Sequence, residues 1–238
     1  MRRWGAGELL LFFDSEASHQ TKGTSLLNVV MIAASTIDGR IGPSFVSSSL
    51  DRRLLETMRA GTDASLMGAE TLRQGDPEMR GPGSVLPSSR IRAVISMSGI
   101  IPGGEKIFKN GPKPVIFTSF EKLKSLSDRL GDSAHCLAVP ADRHGLSITV
   151  ALDELGRLGV RSLLVEGGGR LNYACLSEGV INEIRLTLCP HFSGDGMAAS
   201  LVNGKGSLTN LSLHLVSCEP ALSGEIFLRY KVTKKVIP

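Results

Sequence analysis

Three short stretches carry residues able to do chemistry. Thr36-Ile37-Asp38-Gly39-Arg40 follows an apolar run and sets a carboxylate beside a guanidinium in one turn. Asp-Gly is also an ordinary turn signal. Met67-Gly68-Ala69-Glu70-Thr71-Leu72 puts small residues where a strand passes into a helix, which allows a ligand to come close. Gly75-Asp76-Pro77-Glu78-Met79-Arg80 follows and opens a Pro- and Gly-rich loop that runs to Arg90. A loop of that length inside a compact domain is often functional.

The third stretch is Val165-Glu166-Gly167-Gly168-Gly169-Arg170-Leu171-Asn172. An apolar strand ends at Val165-Glu166, and a helix opens after three glycines. Backbone N–H groups at a helix start attract anions, and glycines let a phosphate approach them. The spacing matches neither GxGxxG nor GxxxxGK[ST]. On the motif alone, a phosphate cradle and a plain tight turn are equally good readings. Glu166 adds weight to the first, because open α/β sheets bind ligands at the carboxyl ends of their strands.

The elements that must position these residues alternate. Leu26–Ala34, Ala64–Met67, Ile91–Met97, Val115–Thr118 and Ser162–Val165 are short β-rich apolar runs, the pattern of strands buried on both faces. Between them lie helical spacings. Ser48-x-x-Asp51 resembles a capping box before Leu50, Leu54, Leu55 and Met58, and Gly61 supplies the stop. Phe120–Leu130 is a second helix. Thr149 is read as the cap of a third, whose apolar face is Leu152, Leu155 and Leu158, and Leu171–Leu176 begins a fourth. Ile184–Leu188, Leu211–Val216 and Ile226–Val232 close the chain as strands, with no helix between the last two. The expected fold class is an α/β sandwich with a mainly parallel sheet and antiparallel C-terminal strands.

Composition excludes several classes. The chain has 238 residues, 42% of them hydrophobic, enough for a substantial core and too apolar for disorder. No apolar run is long enough to span a membrane as a helix. The balance of 27 basic against 23 acidic residues is mild, and the basic residues are scattered, so nucleic acid is not an expected partner. A mildly basic protein suits an anionic small molecule. Cys136, Cys175, Cys189 and Cys218 form no CxxC, and the histidines form no HExxH; no metal site is expected. Buried thiols in a reducing cytoplasm are the simpler reading. Residues 1–24 read as an N-terminal extension, with Leu9–Phe13 too short an apolar run for a signal peptide.

Taken together and in this order, the three stretches resemble the reductase domain of riboflavin biosynthesis, which has the dihydrofolate-reductase-like three-layer α/β/α fold. The resemblance spans about residues 25–232 and is most specific at Leu163–Gly169 and Gly179–Ile184. It implies NADPH as cofactor and, as substrate, a pyrimidine ribosylamine 5′-phosphate whose ribosyl carbon is reduced to a ribityl chain. The zinc deaminase signature often joined to this domain is absent, so a free-standing reductase domain at 25–238 is expected.

The resemblance also implies roles. Glu166 and Asp38 are the catalytic candidates, with Glu166 hydrogen-bonding or protonating the substrate beside the carbon that receives hydride. Arg59, Arg80 and Met79 are candidates for substrate binding, although Arg80 sits two residues nearer its Asp-Pro than in the family. Thr71, Ser96, Ser98, Thr118, Gly167, Gly168, Gly169, Arg170, Leu171 and Asn172 are candidates for binding the cofactor, with Arg170 and the hydroxyls suited to a 2′-phosphate. Ile32 and Gly75 stand where the family commonly has polar residues, which leaves a pterin or another small heterocycle as an alternative substrate. A non-catalytic ligand-binding scaffold is the other alternative. A homodimer is expected, with Ile226–Val232 as a possible pairing surface.

Overall fold

The computed structural model describes residues 27–42, 47–143 and 145–234. The N-terminal extension and the predicted strand start at Leu26 lie outside the described residues. The elements follow in order: β1 (Asn28–Thr36), α1 (Ser49–Ala60), β2 (Ala64–Gly68), α2 (Ala69–Gly75), β3 (Ile91–Ile95), α3 (Lys106–Lys109), β4 (Val115–Thr118), α4 (Phe120–Leu130) and β5 (His135–Ala138). A small hairpin, β6 (Ala141–Asp142) and β7 (Gly145–Leu146), leads into α5 (Ile148–Arg157). Then come β8 (Ser162–Val165), α6 (Gly169–Ser177), β9 (Glu183–Cys189), β10 (Leu211–Pro220) and β11 (Ile226–Lys234).

Nine strands form one sheet in the order β10-β11-β9-β1-β8-β2-β3-β4-β5. All neighbours from β9 to β5 are parallel, and β11 pairs antiparallel with both β9 and β10. Ile226–Val232 is therefore an interior strand, and the free edge on that side is β10. Lys231 and Lys234 belong to this strand.

Strand alternation sorts the core into two faces. Val29, Met31, Leu66, Ala93, Leu163 and Val165 pack beneath α5 and α6. The intervening residues face the other way: Val30, Ile32 and Leu164 meet Leu54 and Met58 of α1, and Met67, Val94 and Ile116 meet Leu72, Leu126 and Leu130. Helices on both faces make three layers, as the α/β/α expectation requires.

The caps correct the sequence reading in two places. Ser48 Oγ accepts from the Leu50 and Asp51 N–H groups, but the return arm of the box comes from Glu225, whose Oε1 accepts the Ser48 N–H at 3.0 Å. In α5 the cap is Ser147 rather than Thr149, and Glu178 takes the Ile148 and Thr149 N–H groups at 2.8 Å each. In both cases a carboxylate remote in sequence satisfies orphan donors at the helix start. The cysteines are also less uniform than expected: Cys175 and Cys189 are buried, Cys136 is half-buried and Cys218 is exposed.

Candidate active site

The carboxyl ends of β1, β2, β3 and β8 open into a cavity of about 990 Å³. Strands β2 and β8 stay joined past their last residues: the Glu166 N–H donates to Leu66 O and the Gly68 N–H to Gly167 O. This carries both strand-to-helix junctions to the cavity floor. The Gly167–Gly168 peptide is cis, and Gly167 has φ +84.

Each glycine of the triplet has its own constraint. Gly167 needs positive φ. A Cβ on Gly168 would sit 3.1 Å from Thr71 Oγ1, and one on Gly169 would fall 2.2 Å from Ser200 O. These constraints come from the protein's own packing and account for the glycines as a tight turn. Thr71 Oγ1 accepts the Gly168 N–H at 2.8 Å. Helix geometry leaves the N–H groups of Gly169, Arg170 and Leu171 without intrahelical acceptors, and all three residues line the cavity.

Two buried polar atoms of the lining, Ser96 Oγ and Asn172 Oδ1, have no hydrogen-bond partner among the described residues. Asn172 is fixed through its other amide atom, since Nδ2 donates to Leu201 O at 2.8 Å. Buried polar atoms left unpaired are costly, and these two lie on residues of the cavity lining. Ser98, Arg73 and Arg170 reach the rim, with Arg170 lying 3.8 Å from Glu70. Thr118 does not reach it: this hydroxyl is fully buried and donates to Ser96 O at 2.8 Å, bracing Ser96 from behind.

Glu166 lines the inner wall and is held tightly. Arg59 grips it with Nε to Oε1 at 2.9 Å and Nη2 to Oε2 at 2.6 Å. The Ser65 hydroxyl donates to Oε1. Burial alone would raise this carboxyl, but the Arg59 charge and bonds, Ser65 and nearby Arg90 outweigh it and hold it below the ordinary carboxylate range. The pair with Arg59 therefore favours the ionised form of Glu166. In this arrangement its oxygens act as hydrogen-bond acceptors.

The residues expected at the substrate do not converge on this cavity. Arg59 spends its guanidinium on Glu166 and on Arg80 O. Arg59 and Met79 line a separate cavity of about 550 Å³ that reaches Asp63, Arg90 and Val160 at the amino ends of β2, β3 and β8. Met79 is buried in the core beside Leu72. Arg80 lines neither cavity; it pairs with Glu78 at 2.7 Å and donates to Ser84 O.

Asp38 also lies outside the cavity lining. It is exposed, accepts from Thr36 Oγ1 at 2.6 Å and takes the Ser193 and Gly194 N–H groups. These bonds, the Thr36 hydroxyl first, draw its carboxyl down to about 2. Its neighbour Arg40 donates to Ala198 O and Ser200 Oγ. The Asp38-Gly39-Arg40 turn is therefore a clasp for the 193–203 segment, whose Met197, Ala199, Ser200 and Asn203 form one wall of the cavity. Sequence reading missed this wall, because nothing in that segment has a motif and its contacts are remote in sequence. Ser65 and Arg90 were missed for the same reason. Among the described residues no acidic, His or Cys group could hold a metal ion, and no helix is long and apolar enough to cross a membrane.

A mainly parallel α/β/α sheet, glycine-lined at its carboxyl ends and closed by an antiparallel ribbon, defines a dihydrofolate-reductase-like domain. The family model described as the RibD C-terminal domain matches residues 28–226, and the chain belongs to that family. A curated relative from Methanothermobacter thermautotrophicus, a 2,5-diamino-6-ribosylamino-4(3H)-pyrimidinone 5′-phosphate reductase, is 28% identical over 75% of this chain and 84% of its own length. The riboflavin biosynthesis protein RibD of Chlamydia trachomatis is 27% identical, matching 80% of this chain but 51% of RibD. In structure, a pyrimidine reductase-like protein from Corynebacterium diphtheriae superposes with a TM-score of 0.73, covering 88% of this chain and 93% of that one at 24% identity. That likeness establishes the fold.

Proposed function

We propose that the chain is an NADPH-dependent reductase that converts a pyrimidine ribosylamine 5′-phosphate into its ribitylamino form. The observation that carries this reading is the cavity over Gly68 and Gly167–Gly169, with free helix N–H groups and two unpartnered buried polar atoms in its wall. About 990 Å³ is at the upper end for small-molecule sites, as a dinucleotide with a second ligand requires. The curated relatives named as reductases of such a phosphate support the substrate class.

The residues present fit a nicotinamide dinucleotide. The N–H groups at the start of α6 suit a phosphate, while Ser96 Oγ and Asn172 Oδ1 supply a hydroxyl and an acceptor. Ser98, Arg73 and Arg170 at the rim suit a 2′-phosphate. When bound, the reduced nicotinamide supplies the hydride. The chain aligns the reactants and excludes water with the 193–203 wall. At the inner end, the Glu166 carboxylate accepts a hydrogen bond from the pyrimidine side and stabilises positive charge on the ring-opened, protonated imine nitrogen. That makes the adjacent sugar carbon more electrophilic. The proton itself comes with the substrate or from solvent, because the Arg59 pair favours the ionised form of Glu166.

Ile32 stands where the family commonly has a polar residue, which keeps a pterin or another small heterocycle as the second reading of the substrate; its side chain is buried against Leu54 and Met58, outside the cavity lining. A homodimer along the β10 edge, where Leu213, Leu215 and Val216 are exposed, completes the proposal. A sedimentation mass of one chain would overturn it.

Thermal denaturation with NADPH, with NADH and without ligand tests the cofactor assignment. At a hundredfold excess over Kd, binding adds about 2.7 kcal/mol, which is a rise of about 5–11 °C for a domain of this size. A rise with NADPH alone is expected. No rise with either nucleotide returns the glycine triplet to a plain structural turn.

A further inference from the structure

Glu166 reaches the cavity from β8, but what fixes it comes from elsewhere. On β2, Ser65 is fully buried, and its hydroxyl donates to Glu166 Oε1. A hydroxyl rotates freely unless something occupies its lone pair. Here Arg90 does so, with Nη1 donating to Ser65 Oγ at 2.7 Å. Arg90 is itself pinned by three bonds, to Thr62 O at 2.9 Å, Thr62 Oγ1 at 2.6 Å and Ala64 O at 2.8 Å. Its guanidinium therefore cannot turn away. With that donor in place, the Ser65 proton is directed at the carboxylate.

The chain Arg90 to Ser65 to Glu166 is thus directional. It lies beside the Arg59 grip but engages Oε1 from the β2 side. We infer that Ser65 and Arg90 are positioning residues for Glu166, fixing its orientation and its charge at the cavity wall without touching substrate. This rests on the reductase reading for its link to turnover, but the hydrogen-bond chain can be measured without turnover.

The charged groups around this carboxylate are few. Arg59 faces it from α1, with Glu56 one turn earlier, and Arg90 faces it from the segment before β3 with Asp63 nearby. Burial draws the Arg90 guanidinium down to about 10, so it stays charged through the neutral range. Removing the Ser65 hydroxyl takes away one donor from a buried carboxylate and detaches Arg90 from it. Both changes move the Glu166 titration upward.

The test is a carbon-13 NMR titration of the Glu166 carboxyl in the full chain, assigned with Glu166→Gln. It compares wild type, Ser65→Ala, Ser65→Thr and Arg90→Lys. Ser65→Ala is expected to raise the midpoint by about one unit or more, and Ser65→Thr, which keeps the hydroxyl, to restore it. Arg90→Lys should give a smaller rise in the same direction. In turnover, the acid limb of the kcat profile should move up with the NMR midpoint, while KM for the cofactor stays within about twofold. An unmoved Glu166 midpoint in a folded Ser65→Ala variant overturns the inference. So does a moved midpoint that leaves the acid limb where it was. Absence of turnover in wild type, with its NMR midpoint low and that of Ser65→Ala raised, would instead count against the reductase reading and leave the hydrogen-bond chain standing.

Discussion

Replacing Arg59 with Met removes the cation from a pair whose side chains are only 5% and 6% exposed. It deletes two charge-assisted bonds, at 2.9 and 2.6 Å. Breaking a buried pair in this way costs about 3–5 kcal/mol, because the remaining charge is stranded. Ser65 and Arg90 still face Glu166, so the lower end, about 3 kcal/mol, is expected. For a domain of this size that lowers Tm by about 6–12 °C.

The pH dependence has a definite sign. In wild type the folded carboxyl titrates below its unfolded value, so its stabilisation is present above the ordinary carboxylate range and lost as pH falls through the folded value. In Arg59→Met, desolvation wins and the folded carboxyl titrates above the unfolded value. Its penalty is then full at neutral pH and relieved by acid. Both effects narrow the gap between the two proteins as pH falls. Urea denaturation at pH 8, 6 and about 4 should show the difference shrinking, most of it between the two lower values. The double variant Arg59→Met/Glu166→Gln should recover about 2 kcal/mol of the loss. A difference below about 1 kcal/mol at pH 8, or one that does not change with pH, would refute the buried-pair account.

Three further outcomes are expected. Gly169→Ala drives a Cβ to 2.2 Å from Ser200 O and should cost about 1–3 kcal/mol in urea denaturation, whereas Gly68→Ala, whose nearest neighbour is 3.7 Å away, should be tolerated; equal stability of the two would contradict the packing described. Thr71→Val leaves the Gly168 N–H without its acceptor and should weaken NADPH binding about fivefold or more by calorimetry. Asp38→Asn should raise KM for the cofactor more than it lowers kcat, because Asp38 fastens a wall; a hundredfold fall in kcat with KM unchanged would make it catalytic after all.

Much of the fold was legible because its signals are local. Runs such as Ala64–Met67 and Ser162–Val165 are buried on both faces and read as continuous apolar strands, and Gly61 marks a helix end. Strand β5 was not legible: His135–Ala138 is a half-exposed edge of four residues with no distinctive pattern. The site was half legible. The glycines declare themselves because a turn and a close approach demand them, whereas Thr71 was reached through the family resemblance. Arg59 was noticed, but its partner is 107 residues away, and no spacing shows that its guanidinium is spent on Glu166. The partners of Asp38 were hidden in the same way: its carboxylate takes the Ser193 and Gly194 N–H groups, which only the tertiary fold brings near.

The most direct measurement of the central claim is the fate of hydride. The ribosylaminopyrimidine 5′-phosphate is incubated with the protein and NADPH deuterated at the transferable position of the nicotinamide ring, and the product is analysed by mass spectrometry and NMR. One deuterium at the first carbon of a ribityl chain is the expected result, formed more slowly by Thr71→Val when NADPH is below saturation. Unlabelled or unreduced substrate, from protein shown by the thermal titration to bind NADPH, would contradict the assignment and point to a pterin or another small heterocycle.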